Sequence, residues 1–143
     1  MMGGKKLLLL VTLMTFLLGS LPLQAEISPR EYALMQLNAP EKLLIEVVEC
    51  SRSKSLFSRN TSVAITAKVL TVYASATALA EDSLISIHYD IYSPVKGAGW
   101  VGPGPLPLLE AGEQYPAFLI WDEERCCYVP AARGESFSWQ IPL

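Results

Sequence analysis

The chain has 143 residues, with 11 basic and 14 acidic side chains and a formal net charge of −3. A chain of this length builds one domain with one modest core. The acidic balance argues against a nucleic-acid or anionic-membrane surface, because both need clustered lysine and arginine.

The N-terminal residues have the pattern of a secretory signal. Lys5 and Lys6 precede an apolar run from Leu7 to Leu18. This run is shorter than the roughly 20 residues that a membrane-spanning helix needs, and helix-breaking and small residues follow it. We therefore predict a signal peptide over residues 1–25 and cleavage after Ala25. The mature domain, residues 26–143, is expected to be secreted or periplasmic, with no stable membrane anchor.

A short helix is predicted at the start of the mature chain. Ser28 can cap a helix, Pro29 suits its first position, and Glu31 stands three residues after the cap, as in a capping box. Asn38 and Pro40 are typical of its end, so the helix has about three turns at most.

Strand-like segments and turns alternate along the rest of the chain. The clearest segment is Leu84 to Tyr92, in which Ile85, Ile87 and Tyr89 alternate with polar residues, as on a strand with one buried face. The predicted strands are 41–50, 63–73, 84–92, 115–121, 126–129 and 136–140, and the polar, basic residues 51–62 are predicted as a loop or hairpin tip. The pattern predicts an all-β fold, a small five- to six-stranded antiparallel barrel of the oligonucleotide/oligosaccharide-binding (OB) type with one short N-terminal helix. A β-sandwich is the alternative.

A glycine- and proline-rich stretch, residues 97–109, connects the third and fourth predicted strands. It contains the spacing of a dinucleotide-binding fingerprint, but the prolines that follow preclude the helix which that fingerprint requires. We predict a shaped loop and, within it, a candidate binding loop formed by Trp100, Leu106 and Leu108. These side chains could equally plug one end of the barrel.

Cysteine and histidine are the residues of this chain that could carry chemistry. An exported protein favours a disulfide from Cys50 to either Cys126 or Cys127, with the third cysteine left over. A metal site would need a fourth ligand besides His88, the single histidine, so no metal and no cofactor are predicted. The alternative is a thiol-based redox or hydrolytic enzyme that uses Cys126, Cys127 and His88, although no catalytic motif surrounds them.

His88, Asp90 and Tyr92 form a row on the polar face of the third predicted strand. Such a row could bind a ligand, and a solvated strand face has the same pattern.

Three segments resemble netrin-like modules and the tissue inhibitors of metalloproteinases: residues 63–75, residues 81–89 and residues 108–119 before a last strand with cysteine. The resemblance covers residues 60–130 and implies an OB-type barrel. Those inhibitors act through a cysteine at the mature N-terminus, whereas this mature chain is predicted to begin at Glu26 and its first cysteine is Cys50. Metalloproteinase inhibition is therefore not implied. The whole chain is also similar to small exported proteins of bacteria.

These observations together predict an exported binding module that acts by protein–protein contact, without catalysis. Its partner is expected to be a protein, of identity not given by the sequence, and not a nucleic acid. The alternatives are the thiol enzyme described above and a structural subunit of a cell-envelope assembly.

Overall fold

The computed structural model describes residues 27–95, 97 and 104–140. The predicted signal peptide and Trp100 lie outside the described residues. The elements in chain order are α1 (Pro29–Asn38), β1 (Glu41–Lys54), β2 (Asn60–Ser75), β3 (Leu84–Tyr92), β4 (Gln114–Asp122), β5 (Cys127–Pro130) and a 3-10 helix (Arg133–Glu135). No helix among the described residues is long and apolar enough to cross a membrane.

The five strands form a closed barrel in the order β1-β2-β3-β5-β4. All neighbouring pairs are antiparallel except β3 and β5, which run parallel and pair at Ile87 and Tyr128. This arrangement, with one short helix, confirms the predicted small all-β, OB-like barrel.

The barrel interior is built from the alternating apolar residues of its strands. On β2, Val63, Ile65, Ala67 and Val69 are all buried and belong to one cluster. Side chains alternate across a strand, so the residues between them face outward.

β4 is buried on both sides. Ala117 and Leu119 pack inside the barrel, whereas Phe118 belongs to a second, smaller cluster with Ala39 and Ala132. This second cluster covers the outer side of β4.

Helix α1 forms as its capping box predicts. The backbone N–H of Glu31 donates to Ser28 Oγ over 3.3 Å, and the Ser28 backbone N–H donates to Glu31 Oε2 over 2.9 Å. Met35 packs against the Phe118 cluster, which holds the helix against the outer side of β4.

The prediction of a loop or hairpin tip over residues 51–62 is correct about the hairpin and wrong about the length of its turn. β1 runs to Lys54 and β2 begins at Asn60, so the turn covers residues 55–59. The backbone ladder between the two strands continues through this polar sequence, down to the pairing of Lys54 with Thr61.

The predicted sixth strand at residues 136–140 is wrong, because these residues form turns and bends that follow the 3-10 helix. Ser136 Oγ accepts from the Ala132 backbone N–H over 2.9 Å and donates to the Arg133 carbonyl over 2.7 Å, which curls the chain. Phe137 then packs against the ring of Tyr89, with the ring centroids 5.7 Å apart. Side-chain hydrogen bonds and burial outweigh the strand pattern here.

Alkaline pH is expected to lower the free energy of unfolding, because the fold buries two weakly acidic groups, the Tyr89 phenol and the Cys127 thiol. Burial raises the pKa of the Tyr89 phenol, with a smaller contribution from Cys50, and burial also raises the pKa of the Cys127 thiol, with a smaller contribution from Asp122. The unfolded chain loses these protons near their ordinary pKa values, about 8.5 for cysteine and about 10 for tyrosine, while the folded chain keeps them. The folded state then binds more protons, so the free energy of unfolding falls as the pH rises above about 8.5.

Urea unfolding between pH 7 and 11 measures this effect. Tyr89→Phe is expected to lower the free energy of unfolding by about 1 kcal/mol at pH 7, because the hydrogen bond of the hydroxyl group is lost. The same variant should show a shallower fall at alkaline pH. An unfolding free energy of the native protein that does not change over this range would contradict the prediction.

Candidate functional site

A groove lies on the outer face of β1, β2 and β3, and we call it the outer groove. Its volume is about 670 Å³, and the residues that line it include Ser51, Arg52, Ser53, Ser62, His88, Asp90 and Arg125. His88 stands on β3 between buried Ile87 and Tyr89, and Ser62 stands on β2 next to buried Val63, so the alternation of each strand points both side chains outward.

The floor of the outer groove is set by strand register. Ser53 pairs with Ser62 and Ser62 with Asp90, so these residues lie side by side on three strands. Ser62 Oγ donates to Asp90 Oδ1 over 2.6 Å. One row further along, Ser51 Oγ donates to the carbonyl of Ala64 over 3.3 Å. The floor therefore carries hydroxyl groups and one carboxylate.

His88 occupies the next position on β3. Its Nε2 lies 2.9 Å from Ser86 Oγ, and its ring is half-buried. The structure thus places His88 and Asp90 in one groove, as their spacing on a strand predicts. Tyr92 lies further along β3, where it lines an adjacent cavity of about 420 Å³ together with Leu106.

Two arginines stand in the lining of the outer groove. Arg52 comes from β1, and Arg125 comes from the turn between β4 and β5. The Nε of Arg125 lies 3.7 Å from Asp122 Oδ2, and Asp122 Oδ1 accepts from the backbone N–H of Arg125 over 3.2 Å, which orders the turn. Arg52 alternates with Ser51 and Ser53 and pairs with the interior residue Val63, so its side chain leaves β1 on the opposite face. Arg125 and Asp90 are therefore the charged side chains assigned to the groove.

The sequence prediction missed the contributions of Arg125 and the serines. The polar row on β3 was visible as alternation along one strand, but Arg125 is far away in the chain. It reaches the groove because β5 pairs with β3 as well as with β4, its neighbour in sequence. No local pattern signals that pairing.

The three cysteines are free thiols in the structure. Cys50 is half-buried on β1, and Cys127 is buried on β5, a strand that does not neighbour β1 in the barrel. Cys126 is exposed, and its thiol donates to the Glu123 carbonyl over 3.4 Å. A bridge from Cys50 to Cys126 or Cys127 stays a prediction. The hydrogen-bond partner of His88 is Ser86, not a cysteine.

The candidate binding loop divides between packing and exposure. Leu106 packs against the barrel core, its neighbour Leu109 is buried, and the Tyr89 hydroxyl donates to the Pro107 carbonyl over 2.7 Å. This part of the loop is therefore a plug. Leu108 is 37% exposed, and Trp100 lies outside the described residues.

Among the described residues, no group of three or more histidine, cysteine, aspartate or glutamate side chains is placed to hold a metal ion. In comparisons with protein-family models, curated proteins and solved structures, nothing matched the chain significantly.

Proposed function

We propose that this chain is an exported binding module which acts by protein–protein contact, without catalysis, and holds a segment of its partner in the outer groove. The observation that carries the proposal is the groove itself, about 670 Å³ in volume and lined by Arg125 and a floor of serines. OB-type barrels bind their ligands on the face of strands 2 and 3, between the loops that follow strands 1 and 4, and the outer groove occupies that face.

The chemistry of the lining favours an extended, acidic segment. Guanidinium groups bind carboxylates through paired hydrogen bonds, which suits Arg125. Serine hydroxyls both donate and accept, so Ser51 and Ser53 can bind the backbone of a strand-like ligand. Asp90 adds an acceptor for a backbone N–H group.

The burial of Cys127 favours binding over the thiol-enzyme alternative. A thiol nucleophile works as the thiolate, and burial raises the pKa of Cys127, which keeps it protonated at neutral pH. The netrin-like resemblance is part of this proposal and is supported by the closed five-stranded barrel.

The test compares the proteins captured by the mature chain and by Arg125→Glu from an extract of the source cell envelope. Charge reversal at this arginine is expected to weaken capture of the partner by about tenfold, since an attractive charged contact becomes repulsive. The matched control is Arg30→Glu, which reverses an exposed cation outside the groove.

A photo-crosslinking residue at Ser53 locates the contact. It should label the same partner, whereas the same residue at Leu84, which is 65% exposed elsewhere on the barrel, should not. Capture of every partner at equal yield by the groove variant would refute the proposal, provided that both variants unfold at the same urea concentration as the native protein.

A further inference from the structure

The tip of the β1–β2 hairpin, residues 55–59, has two apolar side chains that are almost fully exposed to solvent. Leu56 is 95% exposed and Phe57 is 99% exposed, the highest values among the exposed large apolar side chains of the described residues. Both follow a ladder that continues to the pairing of Lys54 with Thr61, so the hairpin holds them away from the barrel.

Basic side chains surround this apolar pair. Lys54 precedes it and Arg59 follows it, and both are exposed. No acidic residue occurs between Ser51 and Ser62. Neither Lys54 nor Arg59 forms an ion pair within the part of the chain that the structure describes. A chain with an acidic balance therefore carries a locally cationic tip.

Serines of the tip accept hydrogen bonds from two backbone N–H groups, one in the tip and one directly after it. The Phe57 N–H donates to Ser55 Oγ over 3.3 Å, and the Asn60 N–H donates to Ser58 Oγ over 3.0 Å. Backbone N–H groups without partners strongly oppose entry into an apolar medium. These two hydrogen bonds lower the free-energy cost of moving the tip from water into an apolar medium.

We propose that the hairpin tip docks the protein on an anionic lipid surface. Leu56 and Phe57 enter the boundary between headgroups and acyl chains, while Lys54 and Arg59 contact lipid phosphates. Two apolar side chains and a few cations give reversible binding at the surface, rather than an anchor.

The charge distribution favours a lipid surface over a pocket on a protein. The body of the mature chain is acidic and is repelled by anionic lipid, so attraction is confined to the tip and only one orientation binds. The outer groove begins at Ser51 and Ser53, at the base of the same hairpin. A protein bound by its tip therefore keeps that groove accessible to a partner.

The experiment measures binding of the mature chain to vesicles of phosphatidylcholine with and without phosphatidylglycerol. Binding is expected only with phosphatidylglycerol, and it should weaken as salt is added. Leu56→Ser/Phe57→Ser and Lys54→Gln/Arg59→Gln should each weaken it by about tenfold or more. Leu37→Ser/Leu84→Ser is the matched control, because these leucines are 58% and 65% exposed outside the tip, and it should bind like the native protein.

Insertion is read from quenching by brominated lipid. Phe57→Trp should add a quenched tryptophan signal, whereas Leu84→Trp should add one that is not quenched. The proposal is overturned if the native protein does not bind anionic vesicles, or if the Leu56→Ser/Phe57→Ser variant binds them as well as the native protein.

The outcome of the vesicle experiment does not depend on the proposed function. Arg52 is left unchanged in these variants because it also lines the outer groove. A tip variant that still binds vesicles but loses a captured protein would identify the tip as a protein contact and overturn the lipid assignment.

Discussion

Gln36→Glu is expected to lower the free energy of unfolding by about 3 kcal/mol, because it removes both donors of a buried amide and leaves an acceptor in their place. Gln36 has no exposed surface. Its Nε2 donates to the carbonyls of Glu135 over 2.6 Å and Ser138 over 2.8 Å, and its Oε1 accepts from the Gln140 N–H over 3.0 Å. The substitution is nearly isosteric, so the loss reports the hydrogen bonds and not a cavity.

Gln36 joins α1 to the C-terminal segment, so the damage should be greatest there. Hydrogen exchange is expected to accelerate in α1 and in residues 133–140 more than in the strands. A protonated carboxyl can restore one donor, and burial beside two carbonyls raises the pKa of that carboxyl, so the variant should recover part of its stability as the pH falls from 7 towards the ordinary glutamate pKa of about 4.3.

Urea unfolding of the native protein and the variant gives the measured difference. The control is Gln114→Glu, the same chemical change at an exposed position at the start of β4, which should alter stability by less than about 1 kcal/mol because the new carboxylate faces Glu46 on β1. Equal losses for the two variants would show that the buried hydrogen bonds are not the cause.

Glu41→Ala is expected to cost about 3 kcal/mol of unfolding free energy, because it removes the acceptor of three hydrogen bonds. Glu41 is fully buried at the start of β1. Its Oε1 accepts from the Ala76 N–H over 3.1 Å and from the N–H and hydroxyl of Thr77, each over 3.0 Å. The Thr77 hydroxyl lies 2.7 Å from the Tyr128 hydroxyl. Since Thr77 donates its proton to Glu41, Tyr128 donates to Thr77.

This network ties β1, the β2–β3 turn and β5 together at one end of the barrel. Glu41→Gln keeps one carboxamide oxygen as an acceptor, so it should lose about half as much stability as Glu41→Ala. Glu49→Ala, at an exposed position on the same strand, is the control and should change stability by less than about 0.5 kcal/mol.

Thermal or urea unfolding of the three variants tests the network. A stability of Glu41→Ala within about 0.5 kcal/mol of the native value would mean that water replaces the carboxyl group at no net cost. Tyr128→Phe offers a second measurement, because it breaks only the outermost bond and should lower the unfolding free energy by about 1 kcal/mol.

The predicted strands came close to the observed ones where burial alternates. Residues 84–92 agree with β3 at both ends, because a half-buried strand imposes a period of two on its own sequence. The lengths of β1 and β2 were underestimated at the ends where their side chains are exposed. Pairing there comes from backbone hydrogen bonds, which leave no apolar pattern in the sequence.

The candidate site was predictable only in part. His88 and Asp90 were found because one strand carries them both. Arg125 and Ser53 were not, because their place in the outer groove depends on which strands pair and in what register. The loop residue Leu106 was predicted as a contact or a plug, and packing against the core makes it a plug.

The sequence by itself determined the local elements of this protein. The capping box of Ser28 and Glu31 and the alternation of β3 act between residues a few positions apart, so their effect is contained in the sequence nearby. Only the tertiary structure decided the burial of Gln36 and Glu41 and the parallel pairing of β3 with β5. Those features join residues far apart in the chain, and polar side chains become buried only where closure of the barrel brings them partners.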